Sequence, residues 1–196
     1  MDRLIRTEFD WEYRKNQHDI IPGVRNEYLN RCSDLSCMQH TLVAAFEAKD
    51  DNRLKFKVLE ILYAEGDEFR IGNQAWERIM IYLQNFGPVP ATMKHFSDYY
   101  PPAFDHKKYI YKGVAIPGER VKYHCILLLG YNSQRRYFSY LNSWGSDFGN
   151  NGRAFVDFKN IVRAYAPLFE EDQQYFEDSQ MIMGRDPLPA PALIQN

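Results

Sequence analysis

Three residues of this chain are of the types that together do covalent chemistry on a carbonyl: Cys37, His124 and Asn142. Cys37 follows Ser36, a candidate N-cap, and precedes Met38, Leu42, Ala45 and Phe46 at helical spacing. At a helix start, the aligned peptide dipoles and free N–H groups favour a thiolate over a thiol. Taken by its position alone, the same residue reads first as an inert buried thiol. His124 stands at the head of the apolar run Cys125 to Leu129, which ends in Gly130-Tyr131. Alone it is a core or rim histidine. Asn142, in Leu141-Asn142-Ser143-Trp144-Gly145, is alone a turn residue after a strand. Together the three meet one requirement. A thiol needs a base to become a nucleophile, and the imidazole needs a third group to hold its tautomer and ring plane.

The elements that must position these residues are legible in outline. After a polar opening broken at Pro22-Gly23, the spacing predicts a helix from Ser36. A second helix is expected through Leu54, Val58, Ile61 and Leu62, ending near Gly66. A third runs through Trp76, Ile79, Met80 and Leu83, opened by Asn73 and closed by Gly87-Pro88. Beyond Pro88 the composition turns to aromatic and branched residues. Strands are expected at Val121 to Tyr131, Tyr137 to Leu141 and Ala154 to Phe158, between turn signals at Gly130, Asn132-Ser133 and Asn151-Gly152. Helices first and strands later predict an α+β chain of two lobes meeting near Gly87.

Composition bounds what such a chain does. At 196 residues, with 45% hydrophobic and 15% aromatic residues, it can bury a core and is neither disordered nor collagen-like. A net charge of −2 supplies no basic surplus for nucleic acid. No apolar run approaches the roughly 18 residues of a membrane span. Met1 to Arg6 lacks the apolar stretch of a secretory signal, so an intracellular place, cytoplasm or an organelle interior, is expected. Three cysteines (Cys32, Cys37 and Cys125) do not make a disulfide framework and fit a reducing compartment.

With these residues in place, the sequence resembles the papain family of cysteine peptidases. Asn142-Ser143-Trp144-Gly145, followed by Phe148-Gly149 and Gly152, is similar to that family's asparagine segment. His124 with Cys125 to Tyr131 resembles its histidine strand. Ser36-Cys37 with Ala44-Ala45-Phe46-Glu47 resembles its nucleophile and central helix, Asp10-Trp11 its opening, and Phe86-Gly87-Pro88-Val89 the approach to its barrel. The resemblance covers roughly residues 10–160. It implies a papain-like fold, with a helical lobe over about 10–86 led by the Cys37 helix and an antiparallel, barrel-like lobe over 87–169. An acidic, then proline-rich tail follows over 170–196. It also implies roles: Cys37 as nucleophile, His124 as base and then acid, Asn142 as orienter, and Trp144 as a shield over the His124–Asn142 hydrogen bond.

The departures bear on activity. The family places its histidine and asparagine about 130–150 residues after the cysteine, whereas here the separations are 87 and 105. The missing length falls between the central helix and the barrel, where Ile71-Gly72-Asn73-Gln74 is the only remnant of the family's glycine wall for substrate. The family's oxyanion glutamine is replaced by Glu27, in Arg25-Asn26-Glu27, ten residues before Cys37. An ionised carboxylate accepts and does not donate, so at that position it opposes a developing oxyanion. If Glu27 instead faces solvent, Asn30 or the Cys37 amide would serve. Met38 stands where the family signature has an aromatic residue. With Asp10-Trp11 almost at Met1, no inhibitory propeptide is expected, which weighs toward weak activity or none.

Two functions follow. One is a cysteine peptidase acting on peptide or protein substrates through an acyl-enzyme, without a cofactor. The other is a degenerate homologue that binds a protein partner or serves as a subunit of a larger assembly. Zinc on Cys32, Cys37 and His40, with His124 or Cys125, is a rival chemistry with a non-standard spacing; no metal is expected. A Cys32–Cys37 disulfide under oxidation would silence the nucleophile. The aromatic stretch Phe96 to Tyr111 reads as lobe packing before it reads as a binding platform.

Overall fold

A computed structural model describes residues 6–10, 56–63, 73–101, 103–115 and 117–169. In chain order the elements are β1 (Glu8–Asp10), β2 (Phe56–Tyr63), α1 (Asn73–Asn85), β3 (Val89–His95), β4 (Ile110–Tyr111), β5 (Lys122–Asn132), β6 (Tyr137–Leu141), β7 (Arg153–Asp157) and β8 (Ile161–Phe169). Single 3-10 turns lie at Ser97–Tyr99 and Phe158–Asn160. The eight strands form one sheet in the order β2-β8-β3-β5-β6-β7-β4, with β1 added beside β5. Every pairing is antiparallel except β4 with β7.

The sheet is organised by β5. Its run Ile126 to Asn132 is buried throughout, which matches a near-continuous apolar strand with neighbours on both sides. One edge of β5 takes β3 along Lys122 to Leu128 and then β1 along Gly130 to Asn132; the other edge takes β6. β1 comes so close at Gly130 that a Cβ there would sit 2.3 Å from the Phe9 carbonyl oxygen. Only glycine fits that approach.

The expected third helix is α1. Its apolar residues recur every three or four positions, so Trp76, Ile79, Met80 and Leu83 fall on one face and are buried. Ile79 and Leu83 are fully enclosed, each contributing about 1.5–3 kcal/mol of burial. The helix ends where Gly87 adopts φ 157° and Pro88 follows without an N–H. Gln84 ties it to the sheet, its Oε1 accepting from Tyr131 Oη–H and from the Arg6 N–H, both at 2.9 Å.

The three expected strands match β5, β6 and β7 to within a residue. The second expected helix does not form: Phe56–Tyr63 is β2, paired with β8. The β2–β8 register shifts between Glu60 and Leu62. That irregularity breaks the period of two and leaves an apolar spacing that imitates a helix. Pairing in the sheet decides the conformation. β8 runs through Pro167, which has no N–H to give to a ladder. Pro167 is tolerated because it lies past the stretch bonded to β3, which covers Ile161 to Ala164. Among the described residues no helix is long and apolar enough to cross a membrane.

Candidate active site

Strand register alone brings the chemistry-bearing residues of the second half together. On β3, Met93 lies opposite His124 of β5, and Ala91 opposite Ile126. On β6, Leu141 lies opposite Leu127 and Tyr140 opposite Leu128. Carrying that register two and four residues beyond Tyr140 sets Asn142 level with Ile126 and Trp144 level with His124. Since alternate residues share a face, His95, His124, Asn142 and Trp144 continue the face that carries Met93, Ile126, Leu128 and Tyr140, which belong to the core. Cys125 takes the opposite face, where its Sγ lies 3.9 Å from Thr92 Oγ1. His124 and Cys125 therefore diverge. Among the described residues no group of three or more His, Cys, Asp or Glu could hold a metal ion.

Asn142 leaves the end of β6 and is fixed by its own backbone, its N–H donating to the Gly152 carbonyl at 2.8 Å. The loop back to β7 is closed by Gly152 N–H to Phe148 O (2.8 Å) and Asn150 N–H to Arg153 O (2.8 Å). Gly149 there has φ 54°, and a Cβ on it would lie 2.1 Å from the Arg153 carbonyl oxygen. The Asn142 side chain is 2% exposed and His124 8%.

Their hydrogen bond spans 2.6 Å from His124 Nε2 to Asn142 Oδ1. The same Oδ1 accepts the Ser143 backbone N–H at 2.9 Å. A backbone N–H can only donate, so the atom facing both groups is the amide oxygen, and His124 Nε2 carries its proton toward it. In the neutral ring, Nδ1 then holds the lone pair. That is the tautomer a general base requires. Asn142 Nδ2 is buried without a hydrogen-bond partner in the structure.

Aromatic rings close over this pair. Trp144 lies 4.7 Å from the His124 ring at a tilt of 36°. Tyr100 stacks on Trp144 at 5.4 Å and 11°, and Lys122 Nζ lies 5.1 Å from the Tyr100 ring centre. His95, 2% exposed, stands edge-on to His124 at 6.3 Å. Fully buried Tyr99 shares its hydroxyl hydrogen bond with Tyr140 (2.8 Å), and its carbonyl accepts His106 Nε2–H at 2.6 Å.

Burial sets the charge states of this cluster. It pulls His95 down to about 4, with the Phe96 carbonyl opposing and His124 and Lys122 adding to the fall. Burial likewise lowers His106, whose Nδ1 is enclosed without a partner. The Tyr99 and Tyr140 phenols are raised, again first by burial. Two imidazoles besides His124 thus pack on Tyr99, and burial lowers the pKa of both.

Of the residues singled out from the sequence, His124, Asn142 and Trp144 come together here. Cys37 and Glu27 lie outside the described residues, as do Cys32, His40, the Ser36 helix and the tail from residue 170. His95, Tyr99, Tyr100 and His106 were missed as individuals. Tyr99, Tyr111 and Phe96 of the aromatic stretch are buried, while Tyr109 is exposed. The signal for His95 was available only through strand pairing, because nothing in its local sequence ties it to position 124.

Comparison with known proteins bears on the family and the fold. The family model "Papain family cysteine protease" matches residues 8–163. A search of curated proteins finds no match. Among solved structures, the bromelain protease of Ananas comosus, in complex with the E64 inhibitor, superposes with a TM-score of 0.55 at 12% identity, covering 85% of this chain and 100% of the other. The Carica candamarcensis cysteine protease CMS1MS2, also with E-64, gives 0.52 at 13% identity, covering 84% and 99%. At these identities the likeness is one of fold.

Proposed function

Because the chain belongs to the papain family of cysteine proteases, we propose that it is a thiol-dependent hydrolase of peptide bonds, with Cys37 as nucleophile, His124 as base and acid, and Asn142 as orienter. The observation that supports this reading most is the His124–Asn142 hydrogen bond, with its proton on Nε2. His124 Nδ1 takes the Cys37 proton, and the thiolate attacks the substrate carbonyl carbon to form a tetrahedral oxyanion. The imidazolium then gives its proton to the departing amine as the carbon–nitrogen bond breaks, leaving a thioester. Water, deprotonated by the same nitrogen, releases the acid and restores the thiol. Asn142 keeps Nδ1 as the reacting nitrogen through both halves. Trp144 excludes water that would compete for Asn142 Oδ1.

A second reading rests on Glu27 and on the short spacing from Cys37 to His124: a catalytically degenerate member that binds a protein partner. One experiment separates them. Wild type, Glu27→Gln and Cys37→Ala are assayed for turnover of a generic dipeptide amide and for labelling by a thiol-directed epoxide. A working hydrolase turns over substrate, and Cys37→Ala abolishes both signals. If Glu27 occupies the oxyanion position, wild type is labelled but barely turns over. Glu27→Gln then raises turnover by up to about 10²–10³, the size of one oxyanion donor. Absence of turnover and of labelling in every variant refutes the hydrolase.

A further inference from the structure

A hollow of about 140 Å³ lies against the sheet face opposite the one that carries His124. Strand register builds that face. Glu8 of β1 lies level with Asn132 of β5 and Tyr137 of β6, and Asp10 lies level with Gly130, Ser139 and, on β7, Phe155. Alternate residues share a face, so Arg153 joins Phe155, while Phe9, Tyr131, Phe138 and Val156 turn to the core. The register shift between Leu128 and Gly130 leaves Leu129 as an extra residue, and a bulge of this kind bends the strand. Gly130, next in line, has no side chain. Ser139 reaches over it, its Oγ–H donating to Asp10 Oδ2.

Carboxylates stand at one end of the hollow and cations at the other. Glu8 and Asp10 come from β1; Arg153 comes from β7, and Lys107 from the turn that leads into β4, the neighbour of β7. From β1 to β7 is three strand spacings, about 14 Å between backbones, which the Asp10 and Arg153 side chains shorten to the length of a small molecule. Tyr137 meets Phe155 edge-on at 5.1 Å, an apolar wall between the charged ends. Glu8 and Lys107 are exposed at the mouth, Asp10 and Arg153 are half-buried, and Ser139 is buried. Asp10 and Arg153 make further contacts of their own. A carboxylate accepts at about four sites and a guanidinium donates five N–H bonds, so one partner does not exhaust either.

An ion of a single sign would face like charges at one end. A ligand that satisfies both ends carries an ammonium and a carboxylate on one short frame. The volume is close to the roughly 150 Å³ that admits benzene, which suits a single residue and not a long peptide. We propose that this hollow binds a free α-amino acid with an apolar side chain: its ammonium on Glu8 and Asp10, its carboxylate on Arg153 and Lys107, and its side chain against Tyr137 and Phe155. None of Cys37, His124 and Asn142 takes part, so the site is independent of whether the chain is a hydrolase.

The test is titration of the full chain at pH 7 with L-leucine, followed by saturation-transfer NMR. N-acetyl-leucine, which lacks the ammonium, and leucinamide, which lacks the carboxylate, are titrated beside it. Leucine should bind at least about tenfold more tightly than either, the size of one charge-assisted hydrogen bond. Asp10→Asn and Arg153→Gln should each weaken leucine by a similar factor. Arg153→Gln should also narrow the gap between leucine and leucinamide, because the missing carboxylate then has less to lose. Should either variant fail to fold, Glu8→Gln and Lys107→Gln at the exposed mouth replace them, with a loss of at least about threefold and the same narrowing expected. No binding of leucine to wild type overturns the proposal, as do equal affinities for the three ligands. A leucine–leucinamide gap that neither Arg153→Gln nor Lys107→Gln narrows overturns it too. Leucine affinity should stay within about twofold in His124→Gln; its loss there would put leucine at the His124 site and refute the assignment. Absence of peptide turnover or of Cys37 labelling sinks the hydrolase reading and leaves this one standing.

Discussion

Replacing His95 with phenylalanine should make the protein more resistant to acid. In the unfolded chain the imidazole titrates near its ordinary value of 6.5, whereas burial in the folded state pulls it down to about 4. The unfolded state therefore binds more protons across that window, and stability falls as pH drops from about 6.5 toward 4. The stabilising preference for a neutral ring is complete above the unfolded value and is lost as pH falls through the folded one. A gap of this size, at 1.36 kcal/mol per pH unit, amounts to about 3 kcal/mol by pH 4. That is a large share of the usual 5–15 kcal/mol of a domain. The residue is 2% exposed, so solvent screening takes little from it. His106, lowered by burial too, adds a loss of the same sign that the substitution leaves untouched. The assay is urea unfolding of wild type and His95→Phe at intervals from pH 7.5 to 4. The two stability curves should run parallel well above pH 6.5, then diverge by about 3 kcal/mol at pH 4 in favour of phenylalanine. Curves that stay parallel throughout would falsify the assignment of His95 as a buried neutral imidazole.

Asn142→Ala should lower kcat/KM about 10- to 100-fold, since a hydrogen bond to a group that becomes charged contributes about 1.5–3 kcal/mol. Cys37 alkylation should also persist to a less acidic limit than in wild type; an unchanged acid limb would remove Asn142 from the orienting role. Gly149→Ala should destabilise the chain by at least about 1–2 kcal/mol, because φ 54° is unfavourable for alanine and its Cβ meets the Arg153 carbonyl oxygen. Urea unfolding checks this, and unchanged stability would show that the loop after Asn142 relaxes freely.

How much of this was legible in sequence depended on whether a signal was local. The α1 helix was readable because Trp76, Ile79, Met80 and Leu83 repeat at helical spacing and Gly87-Pro88 punctuates the end. β5 was readable because a continuous apolar run between turn residues has few alternatives. β2 was not, because a register shift at Glu60–Leu62 erased its alternation, and only pairing with β8 decides its conformation. The site divides in the same way. His124 and Asn142 stood out through the residues around them, whereas His95 joins them through the register of β3 against β5, a property of pairing at long range. The segments that hold Cys37 and Glu27 lie outside the described residues, so the thiol's half of the site rests on resemblance and family membership.

The imidazole–amide pair should survive removal of the thiol. Every restraint on it identified above arises within the sheet and its loops: the β3–β5 and β5–β6 registers, the Asn142 N–H to the Gly152 carbonyl, the Ser143 N–H on Oδ1, and the rings of Trp144 and His95. None of these passes through residue 37. Geometry at His124 and Asn142 is therefore compatible with a working hydrolase and with one that has lost turnover. Cys37→Ala should accordingly abolish labelling and any turnover while leaving the protected His124 Nε2–H resonance within about twofold of its wild-type exchange rate. NMR at pH 7 on the two proteins checks this. If the resonance disappears with the thiol, the pair is held by Cys37 and not by the sheet.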